Sequence, residues 1–432
     1  MDKNIDNDEK IKIWFVREGE PLPIENDNRL YRTGQMAEYF SQHGYKVTWF
    51  SSTFLHQKKT YYFNEDKEIN VSENEKLVLF HSPISYKKNM SPMRVLYHDN
   101  LAKKLKHYIM DNKDLPVPDI IFASYPTQQF CSVMIEYAKK LNVPVIVDAR
   151  DQWPDIFERA FPKSLRGVGN YLLKPMKRRA AEVFKNATAV CAMSPVMLNW
   201  GLNYAKRKST ELDRVIFIAT KREELQDDVK RKALDEWEKI GIDDKTWNVC
   251  LFSTLSKTSL DMYTLIDAIK KVHETRPEIR LIVGGTGDDY ENICNYSKNL
   301  DYVHIMGWLN KVQMTSLMGI CKVGMFPYRN TKDIRDGWGN KVGQYFSFGL
   351  PLLTSAEGFS KTYVERHECG LAYKENDSQN LADVIINLIE NTDIQLQMSQ
   401  CAYERFKLDF DYPAVMQQFV NMINDIQNSF TG

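Results

Sequence analysis

Residues 335–355, RDGWGNKVGQYFSFGLPLLTS, set one cation, Lys341, between an acid, Asp336, and an amide, Gln344. Gly339 or Asn340 can cap a helix there, Gly349 stands where it would end, and Pro351 blocks its continuation. Such a helix is either an ordinary capped surface element or an anion holder, since its unpaired N–H groups and its dipole both favour negative charge. Lys257 in FSTLSK and the glycines Gly285 and Gly287 of GGTGDD (284–289) follow apolar runs and invite the same question. In the first half, VDARDQWPD places Asp148, Arg150 and Asp151 just after an apolar run. There they either act on a substrate or brace one another as an ion pair. His56 and His81 follow apolar runs and precede basic residues, and Arg29 and Arg32 lead into a helical pattern. All four are candidates for contact with an acceptor or a phosphate, against the plainer role of packing a loop.

Composition narrows the chemistry. The 432 residues suggest two or three domains, and 43% hydrophobic with 26% charged residues is ordinary for a globular chain. The formal net charge is zero, so no nucleic-acid partner is expected and any anion site must be a local patch. Seven cysteines without a CxxC, and eight histidines without an HExxH, offer no metal-like spacing. Reduced, mostly buried thiols and no bound metal are expected. From the polar start MDKNIDNDEK no leader is expected, and no apolar run reaches the roughly 20 residues of a spanning helix. A cytoplasmic location is expected, with room for a peripheral position on the inner face of the membrane.

The elements that must position these residues alternate. Apolar runs at 11–16, 45–50, 76–80, 119–124, 143–149 and 187–193 are separated by helical patterns near 32–44, 91–112, 128–141 and 164–185. This is the pattern of a parallel, doubly wound sheet. The charged stretch 221–245 is helix-prone without a clear core face. A second series follows, with strands at 247–253, 279–285, 302–307, 322–328 and 370–374 and helices near 260–275, 288–299, 310–319 and 378–390. An amphipathic helix at 412–426 ends the pattern. The expected organisation is an N-terminal Rossmann-like domain (1–215), a linker (216–245), a second α/β domain (246–408) and a terminal segment (409–432) returning to the first domain. Tandem doubly wound domains bind ligands at the carboxyl ends of their strands, which here would line a cleft. A nicotinamide dehydrogenase is disfavoured, because GGTGDD lacks the third glycine of the dinucleotide fingerprint and lies deep in the second half.

The motifs FSTLSKTSLDMYTLIDAI (252–269), LIVGGTGDD (281–289), VHIMGWL (303–309) and NKVGQYFSFGLPLLTS (340–355) occur in an order that resembles the donor domain of retaining family-4 glycosyltransferases of GT-B fold. The first half, through RLYRTGQMAEYFSQHGYKVTWFSSTFLHQKK (29–59), HSPISYKKNMSPMR (81–94), PDIIFASYP (118–126) and VDARDQWPDIF (147–157), resembles a bacterial surface-polysaccharide subgroup of that family. The likeness covers about residues 11–425. It implies two Rossmann-like domains and transfer of a sugar from a nucleotide-diphosphate sugar to a glycan acceptor, lipid-linked, without cofactor or metal. It places the donor on Thr254, Lys257, Gly285, Gly287, Gly307, Asn340, Lys341 and Gln344, and catalysis on Asp148, Arg150, Asp151 and Asp336. The acceptor falls to Arg29, Arg32, His56 and His81.

Two departures from the family pattern stand out. The paired acids of N-K-x-x-E-Y and its partner fall on Asp336, one methylene shorter than Glu, and on neutral Gln344. Where many relatives carry a histidine that meets the transferred sugar, Asp148 sits close by instead. An amide can still accept and donate hydrogen bonds to a ribose, without the strength of a carboxylate. A non-catalytic binding subunit is therefore the alternative, and a sugar epimerase of the same fold a third. The segment 162–185 mixes Lys163, Arg166, Lys174, Lys177, Arg178 and Arg179 with Leu165, Val168, Leu172 and Leu173. It is either a solvated helix on its own sheet or a basic amphipathic surface for anionic lipid.

Overall fold

The run KIWFV (β1, Lys12–Val16) is buried over its last four residues, as a central strand of a two-faced parallel sheet must be. The computed structural model describes all residues except 1–9, 25–28, 90, 332–334, 336–338 and 432, and leaves out the side chains of Arg159, Ala160, Lys163, Asn340 and Thr431. The chain divides into two units, Met1–Ile216 with Met416–Gly432, and Phe217–Val415.

In the first unit β1 is joined by β2 (Lys46–Ser52), β3 (Phe54–Leu55), β4 (Thr60–Tyr61), β5 (Lys67–Ser72), β6 (Glu75–Phe80), β7 (Ile120–Tyr125), β8 (Val145–Ala149), β9 (Ala189–Ala192) and β10 (Arg214–Val215). Eight of them form one sheet in the order β10-β9-β8-β7-β1-β2-β6-β5, parallel except at the edge, where β5 runs antiparallel to β6. Its helices are α1 (Arg32–Gln42), α2 (Pro92–Asp111), α3 (Gln128–Leu141), α4 (Arg166–Leu172), α5 (Lys174–Lys185) and α6 (Pro195–Ala205). Both α2 and α6 begin with a serine cap before proline: Ser91 accepts from the Arg94 N–H and Ser194 from that of Met197. Phe15 stacks on Phe122, which in turn meets Phe419 from the end of the chain.

The second unit carries α7 (Asp227–Glu238), β11 (Trp247–Phe252), α8 (Met262–His273), β12 (Ile279–Gly284), α9 (Tyr290–Ser297), β13 (Val303–Gly307), α10 (Lys311–Met318) and β14 (Cys321–Phe326). It continues with α11 (Asn340–Ser347), β15 (Leu352–Thr354), α12 (Phe359–Arg366), β16 (Gly370–Ala372), α13 (Ser378–Glu390), α14 (Thr392–Arg405) and the start of α15 (Tyr412–Thr431), whose later residues belong to the first unit. The sheet is parallel, in the order β13-β12-β11-β14-β15-β16.

Three readings of the sequence are revised. The helical stretch 164–185 is two helices, with Pro175 in the first turn of α5, where its missing N–H costs nothing but a continuous helix would have needed it. The charged stretch 221–245 has a core-facing residue after all: Trp237 is buried on α7 and donates its indole N–H to Ser316 at 3.0 Å. The helix α14 and the edge strand β5, antiparallel to β6, fell in segments that the alternation left unassigned. The seven cysteines are unpaired, five of them buried. Among the described residues no helix is long and apolar enough to cross a membrane.

Candidate functional site

In the second unit the strand order reverses between β11 and β14, and a doubly wound sheet opens a crevice beyond the carboxyl ends at such a point. The turns after β11 and β12 are laced together there. Ser253 N–H donates to Gly284 O at 3.1 Å, Leu255 N–H to Thr286 O at 3.0 Å, and Gly285 N–H to Gly307 O at 2.6 Å. Only glycine permits this. Gly285 has φ +143°, and a Cβ on it would lie 1.8 Å from Ser253 O; one on Gly287 would lie 2.2 Å from Leu255 O. Lys257 is exposed in the first turn, and its N–H is held by Asp288 Oδ1 at 3.1 Å. Thr254 is exposed beside it.

Helix α11 reaches the same edge. Its Tyr345 is fully buried, and the hydroxyl accepts the Phe252 N–H at 2.9 Å, one residue before the STLSK turn. Gly324 leaves the space that the Tyr345 ring fills: a Cβ there would come within 2.6 Å of it. The N-cap is Gly339 in an extended conformation, and as a glycine it supplies no side-chain cap to the first-turn N–H groups. Lys341 and Gln344 follow in the first turns, each half-buried. At the other end Gly349, at φ +65°, closes the helix with Leu350 N–H bonded to Tyr345 O. Gly307 at φ +65° precedes Trp308, whose side chain is 82% exposed. Asp336 lies outside the described residues, as does the side chain of Asn340.

In the first unit the strand order reverses between β1 and β7. Asp148, at the end of β8, is completely buried, and its carboxylate takes Arg32 Nε at 3.0 Å, Arg32 Nη2 at 3.2 Å and Arg150 Nε at 2.6 Å. Burial alone would raise this carboxyl; the two guanidinium groups overcome that and hold it below the usual range. The ion-pair reading of Asp148 and Arg150 is the one the geometry displays. Arg32 is equally interior: it also donates to Ile216 O at 2.9 Å and lies over the Phe419 ring. It braces the end of β8 and does not reach a ligand-facing surface. Arg29 is exposed, ahead of α1. Asp151, raised by burial, accepts from the Gln152 N–H and from the Trp153 indole at 3.1 Å.

His56 Nδ1 faces the Tyr86 hydroxyl at 2.6 Å and Lys59 Nζ at 3.2 Å. Because an ammonium only donates, Nδ1 is an acceptor and Nε2 carries the proton. Burial, with Arg94 and Lys59 nearby, lowers this imidazole to about 4, so it is neutral at pH 7. His81 meets Thr53 Oγ1 at 3.3 Å and packs on Tyr61, in a separate polar cluster.

The sequence reading missed the residues at the reversal itself. REGE (17–20) follows β1 directly, and Glu18 and Glu20 are 3% and 4% exposed. Glu18 takes the Thr127 hydroxyl at 3.1 Å and pairs with His98 at 2.9 Å; Glu20 takes the Thr33 N–H at 3.0 Å and pairs with Arg150. Arg17 donates to Pro126 O. A run of charges immediately after a strand as apolar as WFV is the signal that could have found them. Among the described residues, no group of three His, Cys, Asp or Glu side chains could hold a metal ion.

Residues 236–405 match the family model of glycosyl transferases group 1. A curated relative, trehalose synthase of Pyrococcus horikoshii, is 22% identical over 173 residues; the match covers 38% of this chain and spans about two fifths (41%) of that relative. Among solved structures, sucrose-phosphate synthase from Thermosynechococcus elongatus superposes with a TM-score of 0.68 at 15% identity, over 97% of this chain and all of the other. HepE from Anabaena, solved with UDP-glucose, gives 0.60 at 17% identity over 96% and 100%. The α,α-trehalose 6-phosphate synthase of Burkholderia multivorans gives 0.63 at 12% identity over 97% and 99%. The fold is GT-B, two Rossmann-like α/β units in one chain, with the segment similar to glycosyl transferases group 1 in the second.

Proposed function

We propose that the protein is a retaining glycosyltransferase, acting without a metal, that moves a sugar from a nucleotide-diphosphate donor to a lipid-linked glycan in the building of a bacterial surface polysaccharide. The observation that carries this is the strand reversal of the second unit, where glycine-dependent turns follow β11 and β12 and α11 is tied to the end of β11 through Tyr345, within the segment that matches glycosyl transferases group 1. Helix N–H groups and the cations Lys257 and Lys341 suit a diphosphate. Gln344 would then face the ribose, Asp336 the transferred sugar, and Thr254, Gly307 and Asn340 would complete the donor pocket. The solved relative holding UDP-glucose supports the choice of donor class.

In the first unit Asp151 and Arg150 stand at the catalytic end of β8, with Asp148 and Arg32 positioning them. The departing phosphate itself would take the acceptor proton, with protein N–H groups and cations stabilising its charge. Arg29, His56 and His81 remain acceptor contacts in this reading. A cytoplasmic protein resting on the inner leaflet fits the surface of α4: Leu165, Val168, Tyr171 and Leu172 are 51–67% exposed, among exposed Arg166, Lys174 and Arg178. Flotation with anionic vesicles should recover more protein than with neutral ones; equal recovery rejects the electrostatic part. The neutral amide of Gln344 favours the second reading, a binding subunit without turnover.

The test is a thermal-shift panel of nucleoside diphosphates and their sugars, followed by product analysis. UDP or another nucleoside diphosphate should raise Tm, and Lys341→Ala should weaken its binding by about 1.5–3 kcal/mol, the worth of a charged hydrogen bond. No protection at millimolar nucleotide would remove the donor site. Protection without glycosidic product would favour the binding subunit.

A further inference from the structure

The polar centre at the strand reversal of the first unit contains more than a brace. Five cations, Arg17, Arg32, Lys59, Arg94 and Arg150, stand among four carboxylates, Glu18, Glu20, Asp148 and Asp151, and burial pushes Asp151 toward its neutral form. Arg32 is spent on Asp148. Arg150 too is paired, with Asp148 and Glu20, yet unused donors remain on three of these cations. Arg17 Nε lies 3.4 Å from Glu20 but donates no aligned bond, and Arg94 Nε and Arg150 Nη2 are buried without a hydrogen-bond partner. Orphaned donors of this kind are uncommon in native proteins and call for a missing acceptor.

Arg94 is held for such a task. Its guanidinium lies 4.5 Å over the Trp153 ring and 5.4 Å from that of Tyr86, and its backbone N–H is fixed by the Ser91 cap. Lys59 Nζ sits 4.7 Å from the centroid of the same Tyr86 ring. Arg94 Nη1 donates to Asn89 O at 3.3 Å, and a guanidinium laid on an aromatic face keeps the rest of its N–H edge available for a planar or tetrahedral oxyanion. The cations also lie near enough to oppose one another: after burial, Arg94 and Arg150 are what lower Arg17, and Arg94 is what lowers Lys59. Such crowding is relieved by a bound anion.

We infer that Arg17, Arg94 and Arg150 form a phosphate-binding site in the first unit, which recognises a phosphate ester on the acceptor. The inference rests on the glycosyltransferase reading and adds that the acceptor is anionic next to its sugar. Two sources share that chemistry, a soluble sugar phosphate and a polyprenyl phosphate. The rim favours the lipid. Met93 and Leu96, which flank Arg94 on α2, are 46% and 50% exposed, and α2 is tied by Asp99 to Arg179 of the basic helix α5 at 3.6 Å.

The experiment uses full-length protein saturated with UDP, so that anion binding at the nucleotide turns is already blocked. Inorganic pyrophosphate and glucose 1-phosphate are titrated calorimetrically, and vesicles with and without a polyprenyl phosphate are compared by flotation. Pyrophosphate should bind, and Arg94→Gln, at a partly exposed position, should weaken it by at least roughly tenfold, as loss of a charged hydrogen bond does. Arg17→Gln should act in the same direction where it folds. UDP affinity should not change in either variant, which separates this site from the donor site. Binding of the polyprenyl phosphate vesicle above the neutral one, abolished by Arg94→Gln, supports the lipid source. Glucose 1-phosphate binding without vesicle preference supports the soluble one. No binding of any phosphate probe to UDP-saturated protein, or equal binding by wild type and Arg94→Gln, overturns the site.

Discussion

Replacing Asp148 by Asn separates a brace from a ligand-facing acid. The carboxylate is wholly buried and receives three N–H bonds from two guanidinium groups. An amide keeps one oxygen and turns an NH2 toward a cation, so Arg32 loses its counter-charge while staying 5% exposed. Breaking a buried pair on one side costs about 3–5 kcal/mol, and this loss should appear in urea unfolding as a lower midpoint at unchanged slope. Removing both charges is different. Arg32→Met with Asp148→Leu leaves no buried unpaired charge on that side, and Arg150 keeps Glu20, so the double variant should recover most of the loss. The acid limb carries the same signature. Because the folded carboxyl is depressed below its ordinary 3.8, its contribution is full above that pH and fades as pH falls through the lower folded value. Asp148→Asn should lack this acid-sensitive component. A cost under about 1 kcal/mol, or a double variant as unstable as the summed singles, would refute the brace.

Gln344→Ala should lower nucleotide affinity by about 0.5–1.5 kcal/mol and Gln344→Glu should keep or raise it, measured by calorimetry; equal binding by wild type and Gln344→Ala would leave α11 a merely capped helix. Gly287→Ala forces a Cβ against Leu255 O, so it should cost about 1–3 kcal/mol in denaturant and abolish nucleotide protection of Tm, whereas protection intact would detach the turn from the donor. Glu75 is buried and bonded to Ser41 at 3.2 Å; burial, then Glu38, pushes it up to about 7 from 4.5. The unfolded chain therefore releases its proton first, and stability should fall by about 3 kcal/mol as pH rises from about 4.5 to 7, a slope that Glu75→Gln should flatten.

The doubly wound architecture was legible because apolar runs such as IKIWFV and IRLIVGG are buried on both faces and cannot alternate with water. The glycine turns after β11 and β12 were legible for a similar reason. Gly285 and Gly287 are required by backbone approaches of 1.8 and 2.2 Å, and a glycine needed for close approach leaves a mark in the sequence whatever surrounds it. The polar centre of the first unit left no such mark. Its members come from five separate segments, Arg17 to Glu20, Arg32, Lys59, Arg94 to His98 and Asp148 to Trp153, and no local spacing joins them. Only the reversal of strand order between β1 and β7 brings them together, and that order is a property of the whole sheet. Arg32 shows the cost of reading locally. Beside Arg29 at a helix start it looks like a ligand contact, yet its partner lies 116 residues away, and the pair is interior. Side chains that meet by topology make up the acceptor site proposed for this unit, so variants chosen from motifs alone would fall on its braces and miss Arg17 and Arg94.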